Sequence, residues 1–475
     1  MPLYALFFVV VAGSVLTLSR WRYGLYVAVV IVAFQDPVRK LAPGAAGYLV
    51  LATTPVLLST IVALIGSRRF WWRDLATNFP AIDRAMAYFV LACVPPVLIS
   101  ATYGPGSWML TLLGIFSYGT LLMMIVVGYH FPKNTKSIRQ FLGFYCIVTS
   151  VMLIGGPMQY FDLWPDSPLL GTEALDMDWI RHGSGYIIKM IAGFYRSPDV
   201  MGWHAAAVMM ISFVLAMTAR GPTRWIWLLL GATAAFPLLI CGRRKMVYMI
   251  PAFFVAMTAL QLMAGGQSKI LTRIGLIVVP LASLWIGQVW MGQDSEQIRY
   301  YTENPQDVQS QFQQHGFESL ITTHRQAGFL GSGMGVATPG SHQLQVTRPR
   351  VWQESGPSRV LVELGVPGLL ALVFLLATIL RSAWQVTRTH LRAQSPVAGY
   401  ALGLLAFFIA NVSGLIISGQ ILADAFVATF LGLSVGLVLA MARVSVPARE
   451  ELNRAVNPPG LPNRAEGIPS MRSSS

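Results

Sequence analysis

Apolar runs of up to about 20 residues recur along the whole chain, separated mostly by short polar links. They cover 3–18, 23–36, 45–65, 85–100, 107–129, 140–158, 200–219, 224–241, 246–264, 271–290, 359–380, 397–417 and 421–442. Runs near 20 residues match the thickness of a bilayer crossed by a helix. In lipid only helices or closed barrels satisfy their backbone, and these runs are too long for barrel strands. The pattern predicts an all-α polytopic membrane protein with about 13 transmembrane helices. Pro95 and Pro96 interrupt the fourth run and predict a kink there. The first run has no basic leader and no small-residue cleavage site, so it is expected to be a helix and not a signal peptide. No internal repeat is visible, nor are the inverted halves of many transporters.

Two polar stretches are long enough to form structure, 159–199 and 291–358. They divide the chain into helices 1–10 with the first stretch (1–290), a large outer loop (291–358), helices 11–13 (359–442) and a tail (443–475). The tail is rich in Pro, Ser and Arg and is expected to be disordered. The large loop has few breakers after Pro305 and is expected to be partly helical. A loop of this length without a role is unusual. Gly331, Gly333 and Gly335 alternate within it. No strand–turn–helix context makes them a dinucleotide fingerprint. They would let backbone amides approach an anion, or supply plain flexibility.

Composition agrees with the pattern. Hydrophobic residues make up 55% of the chain and charged residues 11%, against roughly 25% charged in soluble domains. The net charge of +14 is read as basic loops retained in the cytoplasm, not as nucleic-acid binding. Arg20, Arg22, Arg68, Arg69, Arg73, Arg84, Lys133, Lys136, Arg139, Arg220, Arg224, Lys269, Arg273, Arg381, Arg388 and Arg392 fall in one alternating set of loops. Those loops are therefore cytoplasmic, with the N-terminus outside and the C-terminus inside. The opposite set includes the uncharged 100–107 and the acidic 159–199. Cys93, Cys146 and Cys241 lie in apolar runs without metal spacing, so no disulfide, metal or cofactor is expected.

Two short outer links break the rule. Arg39 and Lys40 lie in "QDPVRKLAPG", and Arg243, Arg244 and Lys245 in "LICGRRKMVYMI". Cations on the face that topology disfavours suggest anion binding at the outer membrane surface. The plain alternative is that a helix is miscounted or that flanking loops outvote these charges. Helix interiors read as nearly charge-free, with Asp424 the main exception, whereas transporters place ionisable groups at the midplane.

Four stretches carry a family resemblance: "FYRSPDVMGWHAA" (194–206), "CGRRK" (241–245), "THRQAGFLGSGMG" (323–335) and "ESGPSRVLVELGVPGLLALV" (354–373). In order and spacing they are similar to the O-antigen ligase and polymerase superfamily, membrane glycosyltransferases with a GT-C-like fold. The resemblance covers about 190–375. It implies transfer of a glycan from undecaprenyl pyrophosphate at the periplasmic face of the bacterial inner membrane, without a metal. It further implies a lipid bilayer setting, with flippase and chain-length regulator proteins as partners. Arg196, Arg243, Arg244, Arg325, Arg39 and Lys40 would hold the pyrophosphate, since arginine forks match its oxygens. The family often has a His nine residues before the Glu of "ELG". Here that position is Glu354, so the base is expected to be Glu354, or His342 or His324 in the same loop. His204 reads as a packing or hydrogen-bonding residue. The expected activity is a polysaccharide polymerase, with a ligase acting on lipid A core as the alternative. A flippase for lipid-linked sugars is the alternative of another class.

Overall fold

A computed structural model describes residues 2–42, 44, 47–67, 71–183, 186–265, 319–338, 355–415 and 424–444, with isolated positions between 340 and 353. The expected helix 271–290, residues 291–318 of the large loop, Glu354, His342 and the tail beyond 444 lie outside the described residues.

Eleven helical stretches among the described residues are long and apolar enough to cross a membrane. The chain enters through α1 (Pro2–Ser19) and α2 (Trp21–Leu41), then a 3-10 turn (Gly47–Leu51) and α3 (Thr54–Ser67). Next come the short α4 (Trp71–Asn78), α5 (Pro80–Ala101), α6 (Ser107–His130), α7 (Thr135–Leu153) and α8 (Gly155–Tyr160). The expected all-helical pattern gives way between α8 and α9. There an antiparallel pair of four-residue strands, β1 (Ile180–Gly183) and β2 (Tyr186–Lys189), lies in register from Ile180 opposite Lys189 to Gly183 opposite Tyr186. The chain re-enters through α9 (Pro198–Thr218), α10 (Thr223–Thr233), α11 (Ala235–Ile240) and α12 (Arg244–Met263). After the gap follow α13 (Ser319–Ala327), α14 (Gly356–Arg392), α15 (Ala398–Leu415) and α16 (Ala425–Val444).

Helix α2 is longer than its apolar run and carries Arg22, Asp36, Arg39 and Lys40 near its ends. Helix α14 runs far past its own run, through Arg381, Arg388 and Arg392. At about 1.5 Å per residue it overshoots a hydrocarbon core of about 30 Å. Pro95 and Pro96 are accommodated inside one continuous α5.

Helices α9 and α16 form the centre and are buried on nearly every side. Helix α16 lies against α6 so closely that a Cβ added at Gly436 would stand 2.2 Å from the Ile125 carbonyl, and one at Gly432 2.5 Å from that of Leu121. Small residues four apart let two backbones meet where the hydrophobic effect does not separate a protein surface from lipid. The periphery is apolar and exposed, as at Phe7, Phe8 and Val15 of α1 and Leu91 and Leu98 of α5. Exposed aromatic residues sit at both ends, Tyr23 and Trp225 at one and Tyr48, Trp108 and Trp164 at the other, as belts at the two membrane interfaces do. The fold is that of a multi-pass membrane protein.

The two ends use their cations differently. At one end Arg22 donates to the carbonyls of Phe131 (2.8 Å) and His130 (3.3 Å). Arg443 donates to those of Tyr129 and Pro132 there. Both arginines thus close the C-terminus of α6, whose last carbonyls have no helical partner. At the other end cations meet carboxylates.

Candidate functional site

At that second end the N-termini of α9, α12 and α16 converge on the last turns of α2. Ser197 caps α9, its side chain accepting from the Val200 amide at 3.3 Å, and Pro198 opens the first turn. This start holds Arg196 just before the helix and Asp199 just inside it.

Arg196 is clamped between two carboxylates. Its backbone amide donates to Asp36 Oδ2 at 3.0 Å, its Nη1 to Asp36 Oδ1 at 3.2 Å, and its Nη2 to Asp424 Oδ2. Asp424 also caps α16, accepting from the amides of Phe426 (2.9 Å) and Val427 (3.1 Å). Burial works against the Arg196 charge, but Asp36 and Asp424 outweigh it and hold its pKa above the ordinary value. Lys40 is buried and donates to the carbonyls of Gly193 (2.7 Å) and Leu169 (3.0 Å), strapping the segment before α9 onto α2. Arg39 is half-buried beside it, within electrostatic reach of Asp36 and Arg196.

Asp199 joins the second group of cations. Arg243 Nη2 lies 2.7 Å from Asp199 Oδ2, and Lys245 Nζ lies 2.6 Å from Oδ1. Arg243 also stacks over the Trp179 ring at 4.9 Å. Gly242, with φ of 69°, turns the chain into α12, where a Cβ would meet Met190. Arg244 opens α12 and is half-buried. This cluster of described residues holds six cations, Arg39, Lys40, Arg196, Arg243, Arg244 and Lys245, against the carboxylates of Asp36, Asp199 and Asp424. The surplus is three positive charges. Glu173 pairs with Lys189 and also acts electrostatically on Lys40; counting that pair leaves the balance unchanged.

His204, a turn below, shares a 3.0 Å hydrogen bond with the Tyr145 hydroxyl through Nδ1 and stacks on Tyr195 at 5.1 Å. It is buried, as its packing reading requires.

A second polar group lies deeper, where α14 breaks. Gly365 adopts φ 67° and ψ −169° inside α14. The break frees the Val362 carbonyl, which accepts from the Ser332 amide at 2.6 Å, and the Val366 amide, which donates to the Phe329 carbonyl at 2.9 Å. The stretch 328–338 thus enters a notch between α5, α6 and α14. Non-helical backbone at membrane depth is tolerated where protein buries it. The alternating glycines serve this insertion. A Cβ on Gly335 would stand 2.0 Å from the Leu110 carbonyl, and one on Gly331 2.6 Å from the Gly365 amide. Close packing, neither anion approach nor flexibility, accounts for their spacing.

Glu363 closes the notch. It is fully buried and accepts from the Tyr118 hydroxyl (2.6 Å), the Ala337 amide (2.9 Å) and the Thr338 hydroxyl (2.8 Å). Arg359, one turn earlier and 2% exposed, donates through Nη2 to Ser117 (2.9 Å) and Thr338 (2.8 Å). The helix interiors are therefore not charge-free apart from Asp424. Arg359, Glu363 and Asp36 are buried in them too, each beside an opposite charge.

Of the expected site residues, the structure brings Arg39, Lys40, Arg196, Arg243 and Arg244 to one end. His324 and Arg325 are exposed on α13, which packs against α14. Among the described residues neither joins the Arg196 cluster. The carboxylates Asp36 and Asp199 and the pair Arg359 and Glu363 were not expected as site residues. Asp199 in "RSPDV" and the i, i+4 spacing of Arg359 and Glu363 are the signals that point to them. No protein-family model matches the chain, and no curated protein matches it either. Among the described residues no group of His, Cys, Asp and Glu is arranged to hold a metal ion.

Proposed function

We propose that the protein is a glycosyltransferase of the bacterial inner membrane that polymerises undecaprenyl-pyrophosphate-linked oligosaccharide repeats at the periplasmic face. The observation that carries this reading is the surplus of three cations over carboxylates where the N-termini of α9, α12 and α16 meet at one end of the bundle. A pyrophosphate diester carries two negative charges at headgroup depth. Helix N-termini and arginine forks both suit its oxygens. The four motif stretches that resemble the O-antigen ligase and polymerase superfamily support the same reading, and two of them run through the cluster.

The roles within the cluster divide. Arg196 spends its guanidinium on Asp36 and Asp424 and serves as the pillar that holds α2, α9 and α16 together. Arg243 and Lys245 share one carboxylate, Asp199, and together with the neighbouring Arg244 they hold the leaving pyrophosphate. Stabilising that charge as the glycosidic bond breaks is the transition-state task of such a site. The acceptor hydroxyl loses its proton to a base on the outer loop, assigned to Glu354 by its spacing from "ELG" with His342 or His324 as alternatives.

The test is the intermediate that accumulates when the gene is deleted. Single repeats on the lipid carrier at the outer face support the polymerase. Finished polymer still on its carrier makes the protein a ligase, and single repeats held at the inner face make it a flippase.

A further inference from the structure

The guanidinium of Arg359 has more donors than the protein uses. Nη2 is engaged by Ser117 and Thr338. Nε faces Glu363 Oε2 at 3.8 Å, too far for a hydrogen bond. Nε and Nη1 are buried and have no hydrogen-bond partner among the described residues. Glu363 cannot turn to serve them, because both its oxygens already accept from Tyr118, Ala337 and Thr338. Buried N–H groups left unpaired are costly and rare, so two free donors on a cation point to a group that belongs there.

The place suits an anion. Arg359 stands on the first turns of the 37-residue α14, after the cap Ser355, whose hydroxyl accepts from the Ser358 amide at 3.2 Å. Side chains on a helix lean toward its N-terminus. The guanidinium is therefore carried back toward the positive end of α14. The nearest carboxylate balances the charge of Arg359 without using its free donors. A ligand here is recognised by hydrogen-bond direction more than by net charge.

We propose that Arg359 Nη1 binds a small oxyanion, a carboxylate or a phosphate group, where α6, α14 and the 328–338 insertion meet. The site is distinct from the Arg243 cluster. Its part in transfer rests on the glycosyltransferase reading, where the group is an acidic substituent of the glycan or a phosphate of its lipid carrier. Its existence as a binding site does not rest on that reading.

The experiment follows the thermal midpoint of the purified full-length protein in detergent as sodium acetate or sodium phosphate replaces chloride at constant ionic strength. In the Arg243→Ala background, where the other cation cluster is weakened, one of these anions is expected to raise the midpoint, and adding Arg359→Met is expected to abolish that rise. Response to acetate alone identifies a carboxylate site, and response to phosphate alone a phosphate site. Glu363→Gln keeps the shape of the side chain and removes its charge. It is expected to lower the half-effective anion concentration about tenfold, one 1.36 kcal/mol step. This variant decides the matter if Arg359→Met does not fold. No response to either anion in Arg243→Ala, an equal response when Arg359→Met is added to it, or an unshifted curve in Glu363→Gln overturns the proposal. A failure of the Arg243 reading leaves all these curves unchanged.

Discussion

Two arginine–carboxylate groups are built into this bundle, and they are unbalanced in opposite ways. Around Arg196 both terminal guanidinium nitrogens meet carboxylates, and the surrounding cluster of described residues counts six cations to three carboxylates. Around Arg359 the charges balance one to one, yet the guanidinium has N–H groups without acceptors. Surplus charge near the membrane surface acts over distance and draws in any anion of sufficient charge. Surplus donors on a buried side chain act only at contact and select by direction. On the proposed reading the first group captures a substrate and the second aligns it, and the comparison can be broken at either group.

The largest effect is expected at the pillar. Arg196→Met leaves Asp36 and Asp424 buried without their cation, a loss of about 3–5 kcal/mol for one broken buried pair. Thermal unfolding in detergent should show a collapse of the midpoint, and Asp36→Asn in the same chain should restore part of it. A midpoint close to wild type would mean that Arg196 is not the pillar. Next comes the surplus itself. Arg243→Lys keeps the charge and loses the fork, so transfer should fall roughly 10–100-fold, matching about 1.5–3 kcal/mol for charge-assisted bonds. The unfolding midpoint should stay nearly unchanged, which sets this residue apart from Arg196.

The insertion beside Arg359 is tested by Gly335→Ala. The new Cβ would stand 2.0 Å from the Leu110 carbonyl at a φ of 88°, so stability should drop by about 1–3 kcal/mol. Gly340→Ala also sits at positive φ but meets nothing within 4 Å, and it should cost less.

The smallest effect belongs to the rim. Burial pushes the Glu173 carboxyl up, but the hydrogen bond from Lys189 and backbone donors more than offset it, and its pKa lies below the ordinary value. A lowered pKa contributes stability above the ordinary carboxylate range and loses it as pH falls through the folded value. Limited proteolysis of the 173–189 segment should therefore quicken as the pH falls below that range. Glu173→Gln should already be quick at neutral pH and flat across the same range.

The helices are legible in the sequence because lipid demands them: a run either spans or it does not. Their ends are less legible. Helix α14 continues to Arg392 because nothing stops it where its apolar run ends, and the hairpin of β1 and β2 rests on four-residue strands that, among the described residues, pair with each other alone. The basic cluster stands out because it opposes the charge bias of short loops. Its carboxylate partners do not stand out, since Arg196 reaches Asp36 across 160 positions and Asp424 across 228. Arg359 and Glu363 show their helical spacing plainly. What they hold, Tyr118 and Thr338, depends on the break at Gly365, which reads in sequence as one glycine among many. Glu354 and His342 fall outside the described residues, so their assignment rests on spacing alone.

The most direct test of the account takes purified wild-type and Arg243→Lys protein, at equal amounts and equal thermal midpoint, and supplies both with lipid-linked repeat units in vesicles. The account predicts that the wild type lengthens the glycan and releases undecaprenyl pyrophosphate, while Arg243→Lys does so roughly 10–100-fold more slowly and leaves mostly single repeats on their carrier. Glycan of wild-type length and yield from Arg243→Lys would contradict it.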